Sequence, residues 1–216
     1  MSGQQSSGGR PAAGGGRWVE VAPERLPRWL ENFASRHGEW TADGLNVLAA
    51  DGARAEMQPP IGALPVQNLD DLLKVAGESR RLGLLLARKG AVAVGVADGP
   101  DLVVSKVDRH YVQGRTAAGG WSQQRFARRR DNQAKAAAAD GADIVGRILL
   151  PEVRALRALV TGGDRSAVDA ILSGPALAPL AALRAERMLD VPEPRHAVLV
   201  AAIAQARAVR ILIVEP

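Results

Sequence analysis

The hydrophobic pattern of the second half of the chain is dominated by two unbroken apolar runs, residues 82–87 and 91–97. Runs of this length, separated here by Lys89 and Gly90, are typical of adjacent strands that are buried on both faces. After them, segments with strand and helix periodicity alternate to the end of the chain, which predicts an α/β fold with a mixed sheet and helices on both faces. The predicted strands are 82–87, 91–97, 102–107, 156–161, 188–191 and 209–214, and the predicted helices are 122–140, 166–172, 177–187 and 196–207.

The pattern before residue 80 predicts two helices, a strand and a hairpin. Residues 18–21 are the strand, and Pro23 can begin a helix to about residue 37, because proline is favoured in a first helical turn. This helix places Leu26, Trp29, Leu30 and Phe33 on one face. Residues 40–57 predict a hairpin that turns at Asp51-Gly52, and residues 69–79 predict the second helix.

These elements suggest three parts of the chain. Residues 1–16 are mainly Gly, Ser, Gln and Ala, so they bury too little apolar surface to fold and are predicted to be a disordered tail. Residues 17–60 are either a small subdomain or the opening of the main sheet, and residues 61–216 form the main domain.

The composition excludes several classes of site. The chain has no cysteine, which rules out disulfides, thiolate catalysis and cysteine-based zinc sites. The three histidines are scattered without ligand spacing, so neither a metal nor a cofactor is expected. No apolar run approaches the roughly 20 residues that cross a bilayer, and the N-terminus lacks the apolar core of a signal peptide. A cytoplasmic protein without a membrane partner is therefore expected, and we expect it to be a monomer.

Basic charge is concentrated in one part of the chain. The formal net charge is +5, but residues 105–135 alone carry eight basic and two acidic side chains, a net +6. Such a run can be a solvated helix face, or it can bind a polyanion such as RNA. The basic residues of interest for RNA binding are Arg109, Arg115, Arg125, Arg128, Arg129, Arg130 and Lys135.

The basic run surrounds a motif that begins with two glycines. Gly119 and Gly120 free the backbone, and Ser122 offers a helix N-cap because its hydroxyl can accept from amides of the first turn. The motif, Gly-Gly-Trp-Ser-Gln-Gln-Arg-Phe-Ala-Arg-Arg-Arg, resembles the catalytic loop and following helix of eukaryotic and archaeal class I peptide release factors. In that family glutamine directly follows the glycines, whereas Trp121 stands there in this chain. Gly120-Trp121-Ser122-Gln123 is similar instead to the Gly-x-Ser/Ala-Gln loop of the Vms-like release factors, in particular their actinobacterial branch.

The resemblance implies a fold, an activity and a set of partners. Residues 61–216 would be a release-factor-like catalytic domain with a ribonuclease-H-like architecture. The activity would be hydrolysis of the ester of peptidyl-tRNA on stalled large ribosomal subunits, with ribosomal RNA and peptidyl-tRNA as partners. Gln123 would be the catalytic residue because the glutamine of that family directly follows Ser or Ala, and Gln124 is the second candidate.

The chemistry available to Gln123 is positioning. An amide does not titrate in the useful range, but it can hold a water against an ester carbonyl, and orientation alone lowers a barrier by several kcal/mol. Backbone amides beside it can stabilise an oxyanion. Gly119 and Gly120 would allow close approach to RNA, and Trp121 either stacks on a base or anchors the start of the helix. Ser122 and Gln124 complete the loop.

Two other functions are compatible with the same residues. One is a non-catalytic ribosome- or RNA-binding rescue factor, although the Gly-x-Ser-Gln loop favours the enzyme. The other is cleavage of the tRNA acceptor end through its own 2′-hydroxyl. Gly162-Gly163-Asp164 lacks the remaining residues of a nucleotide-binding loop and is interpreted as a turn between a strand and a helix.

Overall fold

The computed structural model describes residues 9–12, 15–88, 90–109 and 122–216, with only the backbone of residues 122–131. The chain divides into two compact units. The first, unit 1, combines Met1–Ser79 with Ala204–Pro216, and the second, unit 2, is Arg80–Ile203. This division differs from the predicted boundary at residue 60, because residues 69–76 pack in the core of unit 1 and the last strand of the chain joins its sheet.

Unit 1 is built on an antiparallel sheet in the order β1-β2-β11-β5-β4-β3. Strand β11 (Val209–Val214) lies between β2 (Arg17–Val21) and β5 (Arg54–Gln58), so the end of the chain completes the centre of this sheet. The other strands are β1 (Arg10–Pro11), β3 (Trp40–Asp43) and β4 (Asn46–Ala49), and the helices are α1 (Leu26–His37) and α2 (Leu69–Ala76).

One face of this sheet forms the core of unit 1. Leu26, Leu30 and Phe33 of α1 are buried in one apolar cluster with sheet residues such as Met57 and Ile211, as the one-sided pattern of α1 predicts. A fully buried aliphatic or aromatic side chain contributes about 1.5–3 kcal/mol of transfer free energy. Packing of α1 on this face therefore stabilises the sheet.

Unit 2 contains a five-stranded mixed sheet in the order β10-β9-β6-β7-β8. Strands β6, β8, β9 and β10 run in the same direction and β7 runs against them. The strands are β6 (Arg81–Arg88), β7 (Ala91–Asp98), β8 (Asp101–Arg109), β9 (Ala158–Gly163) and β10 (Arg184–Leu189). The helices are α3 (Ser122–Leu149), α4 (Arg165–Leu172), α5 (Ala178–Ala181) and α6 (His196–Arg207), the last of which continues into unit 1 from Ala204.

Helices cover both faces of the sheet of unit 2, as predicted. Val145 and Leu149 of α3 share a buried cluster with Val168 of α4 and with Val94 of β7. The opposite face of β7 is approached by α6, because a Cβ placed on Gly95 would lie 3.7 Å from the Leu199 side chain. Burial on both faces explains why β6 and β7 are continuously apolar.

Several predicted boundaries need correction. The hairpin of residues 40–57 is a three-stranded meander, because Asp43-Gly44 supplies a second Asp-Gly turn besides Asp51-Gly52. The predicted helix 177–187 ends at Ala181, and β10 begins at Arg184 because this segment pairs in parallel with β9. Arg10–Pro11, assigned from composition to a disordered tail, pairs with β2.

Helix α3 continues past the predicted end at residue 140. Gly141 follows that predicted end, and a Cβ there would lie 2.9 Å from Cδ1 of Ile171 in α4. The glycine therefore permits close packing between α3 and α4, and this packing holds the helix as far as Leu149. Tertiary contact offsets the roughly 1 kcal/mol that a glycine costs inside a helix relative to alanine.

Candidate functional site

The predicted catalytic residues lie at the start of α3 and just before it. Helix α3 begins at Ser122, the first residue of the predicted helix. Gln123 and Gln124 are in its first turn, where the structure describes the backbone. Gly119, Gly120 and Trp121, together with Arg115, lie outside the described residues. The first-turn position matters chemically because the N-terminal amides of a helix have no partners within the helix and favour negative charge.

Helix α3 is anchored by its C-terminal half. Its 28 residues correspond to a length of about 42 Å. Gly141, Ile144, Val145 and Leu149 are buried, whereas none of residues 132–140 is buried. Ser122 therefore lies about 28 Å along the helix axis from Gly141, the first residue described as buried. Such a helix can present its first turn at a distance from the core that holds it.

The predicted basic residues all belong to unit 2. Arg80–Ile203 contains 19 Lys and Arg against 12 Asp and Glu, a net +7, so the rest of the chain carries −2. Arg109, at the end of β8, and Lys135, on α3, are exposed as a role in binding requires. Arg125, Arg128, Arg129 and Arg130 are within α3, but their side chains lie outside the described residues.

Four of the five strands of unit 2 end at one edge of the sheet, which we call the carboxyl edge. The last residues of these strands are Arg88, Arg109, Gly163 and Leu189. Ligand sites of open α/β sheets form outside this edge. The segment that contains the two glycines of the motif continues directly from Arg109, so the candidate loop starts at this edge.

Three charged residues of the carboxyl edge were not identified from the sequence, namely Arg88, Glu193 and Arg195. Arg88 donates from Nη1 to the carbonyl oxygen of Val191 at 2.7 Å, and its Nε lies 3.8 Å from Oδ1 of Asp164. Glu193 accepts from Nη2 of Arg195 at 3.1 Å and lies 3.9 Å from Nε of Arg109. The sequence signal was present in Pro192-Glu193-Pro194-Arg195, whose two prolines mark a stiff connection.

The carboxylate of Glu193 is stabilised in its charged form. The hydrogen bond from Arg195, then the charge of Arg195 and more weakly that of Arg109, hold the pKa of Glu193 below its usual value despite a small opposing effect of desolvation. The three side chains therefore carry a net +1 at neutral pH, with the acidic group between two guanidinium groups.

The predicted junction between a strand and a helix is confirmed, but Gly162 and Gly163 are the last residues of β9 and Asp164 alone connects this strand to α4. Gly163 has a φ of +95°, and a Cβ at this position would overlap the backbone carbonyl of Ala87. The amide of Asp164 donates to that same carbonyl at 2.8 Å. The glycine thus serves the close approach of two strand ends.

Two kinds of feature are absent from the described residues. No group of three or more His, Cys, Asp or Glu in this part of the chain is arranged to hold a metal ion. Among the helices that the structure describes, none combines the length and the apolar character needed to cross a membrane.

Comparison with solved structures finds archaeal proteins. One is described as an archaeal translation termination factor, aRF1; it is 14% identical, and the alignment covers 88% of this chain and 66% of that one, with a TM-score of 0.40. A second, described only as an archaeal protein, is 13% identical with the same coverage and a TM-score of 0.38. The chain thus spans slightly less than two thirds of the length of either. No protein of curated function matches its sequence.

A family model gives the sharper result. The model described as "Actinobacteria/chloroflexi VLRF1 release factor" matches residues 80–212, which include all of unit 2. The match covers more than half of the chain and confirms the resemblance to the actinobacterial branch of the Vms-like release factors. The chain therefore belongs to the actinobacterial and chloroflexi VLRF1 release-factor family.

Proposed function

We propose that this protein hydrolyses the ester of peptidyl-tRNA on stalled large ribosomal subunits and so releases the nascent peptide. Membership of a release-factor family supports a ribosome-associated function. The observation that carries the finer proposal is the position of Gln123 in the first turn of α3, directly after the Gly-Gly-Trp-Ser segment. On this proposal unit 2 is the catalytic domain and has the ribonuclease-H-like architecture of release factors.

The proposed reaction uses little chemistry of the protein itself. Gln123 holds the attacking water against the ester carbonyl, so the two reacting groups are already oriented for the reaction. Backbone amides next to Gln123 stabilise the developing oxyanion, each worth about 3 kcal/mol in comparable sites. The tRNA ribose and ribosomal RNA supply the remainder of the site, which explains why the motif contains no acid-base pair.

In this proposal the long helix and the basic charge bring Gln123 to the reaction centre of the large subunit. The reaction centre of a large subunit lies within RNA, so a catalytic residue has to reach it past phosphate groups. Helix α3 can present Gln123 about 28 Å from the buried part of the helix. The arginines that follow Gln123 would contact phosphates and supply affinity.

The direct test is peptide release from purified large subunits that carry a labelled peptidyl-tRNA. We expect the wild-type protein to release the peptide, and Gln123→Ala to reduce the rate at least about 100-fold with binding nearly unchanged. Gln124→Ala is the matched control and should retain activity. If only Gln124→Ala is inactive, the catalytic residue is Gln124.

The same reaction separates the two alternatives. Sequencing the tRNA 3′ ends after release distinguishes ester hydrolysis, which leaves an intact end, from cleavage of the acceptor end. Salt-dependent binding without any release by the wild-type protein would contradict the enzymatic proposal and favour the non-catalytic rescue factor.

A further inference from the structure

The connection between β10 and α6 crosses the carboxyl edge of the sheet of unit 2. We call this connection, residues 190–195, the strap. The strap leaves β10 at one side of the sheet. The carbonyl of Val191 accepts a hydrogen bond from Arg88 at the end of β6. Glu193 lies beside Arg109 at the end of β8, which is the strand farthest from β10 in the sheet. Four strand spacings amount to about 19 Å, and four extended residues reach about 13 Å. The side chains of Arg109 and Glu193 span the remaining distance.

The strap is rigidly attached at several points. Val191 and Pro194 are buried. Pro194 restricts the backbone of Glu193, which precedes it, and Pro192 fixes its own φ and restricts Val191. The carbonyl of Arg195 accepts the first hydrogen bonds of α6, from the amide of Val198 at 3.0 Å and from the next amide at 3.1 Å.

Arg109 is also fixed at its backbone. It pairs with Ala91 in the β7–β8 ladder, and its amide donates to Oδ1 of Asp108 at 2.9 Å. Glu193 therefore lies between two arginines whose backbones are held by regular structure. The backbone of both arginines is therefore already ordered before a ligand binds, so binding has to order the side chains alone.

The two guanidinium groups retain binding capacity. The side chains of Arg109 and Arg195 are 57% and 61% exposed, and Glu193 is 50% exposed. Each guanidinium has five N–H donors, of which the Glu193 carboxylate can accept only a part. Both side chains are exposed at the edge from which the candidate catalytic segment continues. Arginine donors match the oxygens of a phosphate group.

We propose that Arg109 and Arg195 form a phosphate-binding pair for the backbone of ribosome-bound RNA, with Glu193 as the positioning residue that holds the two guanidinium groups in register. The proposal rests on the proposed function for the identity of the RNA. Arg195 is thereby added to the RNA-binding residues expected from the sequence. Glu193, although acidic, contributes to phosphate binding because it positions the two arginines.

The first test compares Arg195→Gln with Arg157→Gln in binding to purified bacterial large ribosomal subunits at several salt concentrations. Arg157 is exposed in the same unit and precedes β9 at the opposite edge of the sheet, so it is a control with the same loss of charge. We expect Arg195→Gln to weaken binding severalfold and to reduce the log-log salt slope by about one, whereas Arg157→Gln leaves the slope unchanged.

The second test uses the sign of the effect at Glu193. If Glu193 only adds negative charge, Glu193→Gln tightens binding to RNA. If it positions the arginines, the same substitution weakens binding although the protein becomes more positive. The control is Glu186→Gln, an exposed glutamate on β10 that lies outside the strap. We expect weaker binding for Glu193→Gln alone, with melting temperatures of all four variants within a few degrees of wild type because the side chains are exposed.

The outcomes distinguish this inference from the proposed function. Wild-type protein that fails to bind large subunits would remove the basis of both. Wild-type protein that binds and releases peptide, while Arg195→Gln and Glu193→Gln behave like their controls, would overturn the phosphate-binding pair and leave the proposed function intact.

Discussion

Thr161 provides the sharpest prediction about the stability of unit 2. It lies on β9 between Leu85 of β6 and Met188 of β10, and its side chain points to the same face as Leu159, which is part of the apolar cluster under α3 and α4. Thr161 is 0% exposed, and its Oγ1 has no hydrogen-bond partner within the described residues. A hydroxyl group is therefore buried in a hydrocarbon environment.

The expected gain from Thr161→Val follows from this geometry. A buried polar group without a partner costs about 1–3 kcal/mol. Valine has nearly the same shape and the same branching at Cβ, so the substitution removes this cost without creating a cavity or crowding the core. We expect the free energy of unfolding to rise by about 2 kcal/mol, which raises the Tm of a chain of this size by about 4–8 °C.

Thermal and urea unfolding of the full chain measure this change, and two variants control for other causes. Thr41→Val makes the same chemical change at an exposed position of β3 and should alter stability by less than about 0.5 kcal/mol. Thr161→Ser keeps the hydroxyl and removes the methyl group, so it should be less stable than wild type. A Thr161→Val protein no more stable than wild type would show that the hydroxyl is satisfied, for example by a buried water, and would refute the reasoning.

Three further predictions concern the loop, the basic helix and acid stability. Changing both Gly119 and Gly120 to alanine should slow peptide release strongly while the Tm stays within a few degrees; a larger shift would make the pair structural. Changing both Arg128 and Arg129 to glutamine should weaken large-subunit binding and lower its salt slope by about one per lost contact, with the release rate recovering at saturating protein; an unchanged slope would mean that these residues only face solvent. The pKa of Asp51 is lowered first by a hydrogen bond from the backbone amide of Ala53 and then by one from His37. The stabilisation of the folded state by Asp51 is therefore complete above the unfolded pKa of about 3.9, and it is lost as the pH falls through the lower folded pKa. Urea titrations from pH 7 to 3 should show the stability advantage of wild type over Asp51→Asn disappearing only in acid.

The sequence determined the elements whose signals are local. The apolar runs of β6 and β7, the amphipathic face of α1 and the bounds of α6 and β11 are set by residues close to one another in the chain. The start of α3 at Ser122 belongs to the same group. The candidate catalytic segment was likewise recognisable, because its motif is a short contiguous run.

Other features depend on contacts between segments that are distant in the sequence. The sequence predicts β11 as a strand, but only the fold places it between β2 and β5 and so in unit 1. The segment from Arg184 was predicted as helix and forms β10 because β9 offers it a parallel partner. Glycine is common at helix ends, but Gly141 lies within α3 and permits its close contact with α4.

The carboxyl edge shows the same division within the site. Arg109 was identified from the density of basic residues around it, whereas Glu193 and Arg195 lie more than 80 positions further along the chain. They reach Arg109 because the strap crosses the strands that separate β10 from β8. Periodicity along a chain specifies which face of an element is buried, but it carries no information about its partner, and that partner is decided by the packing of distant segments.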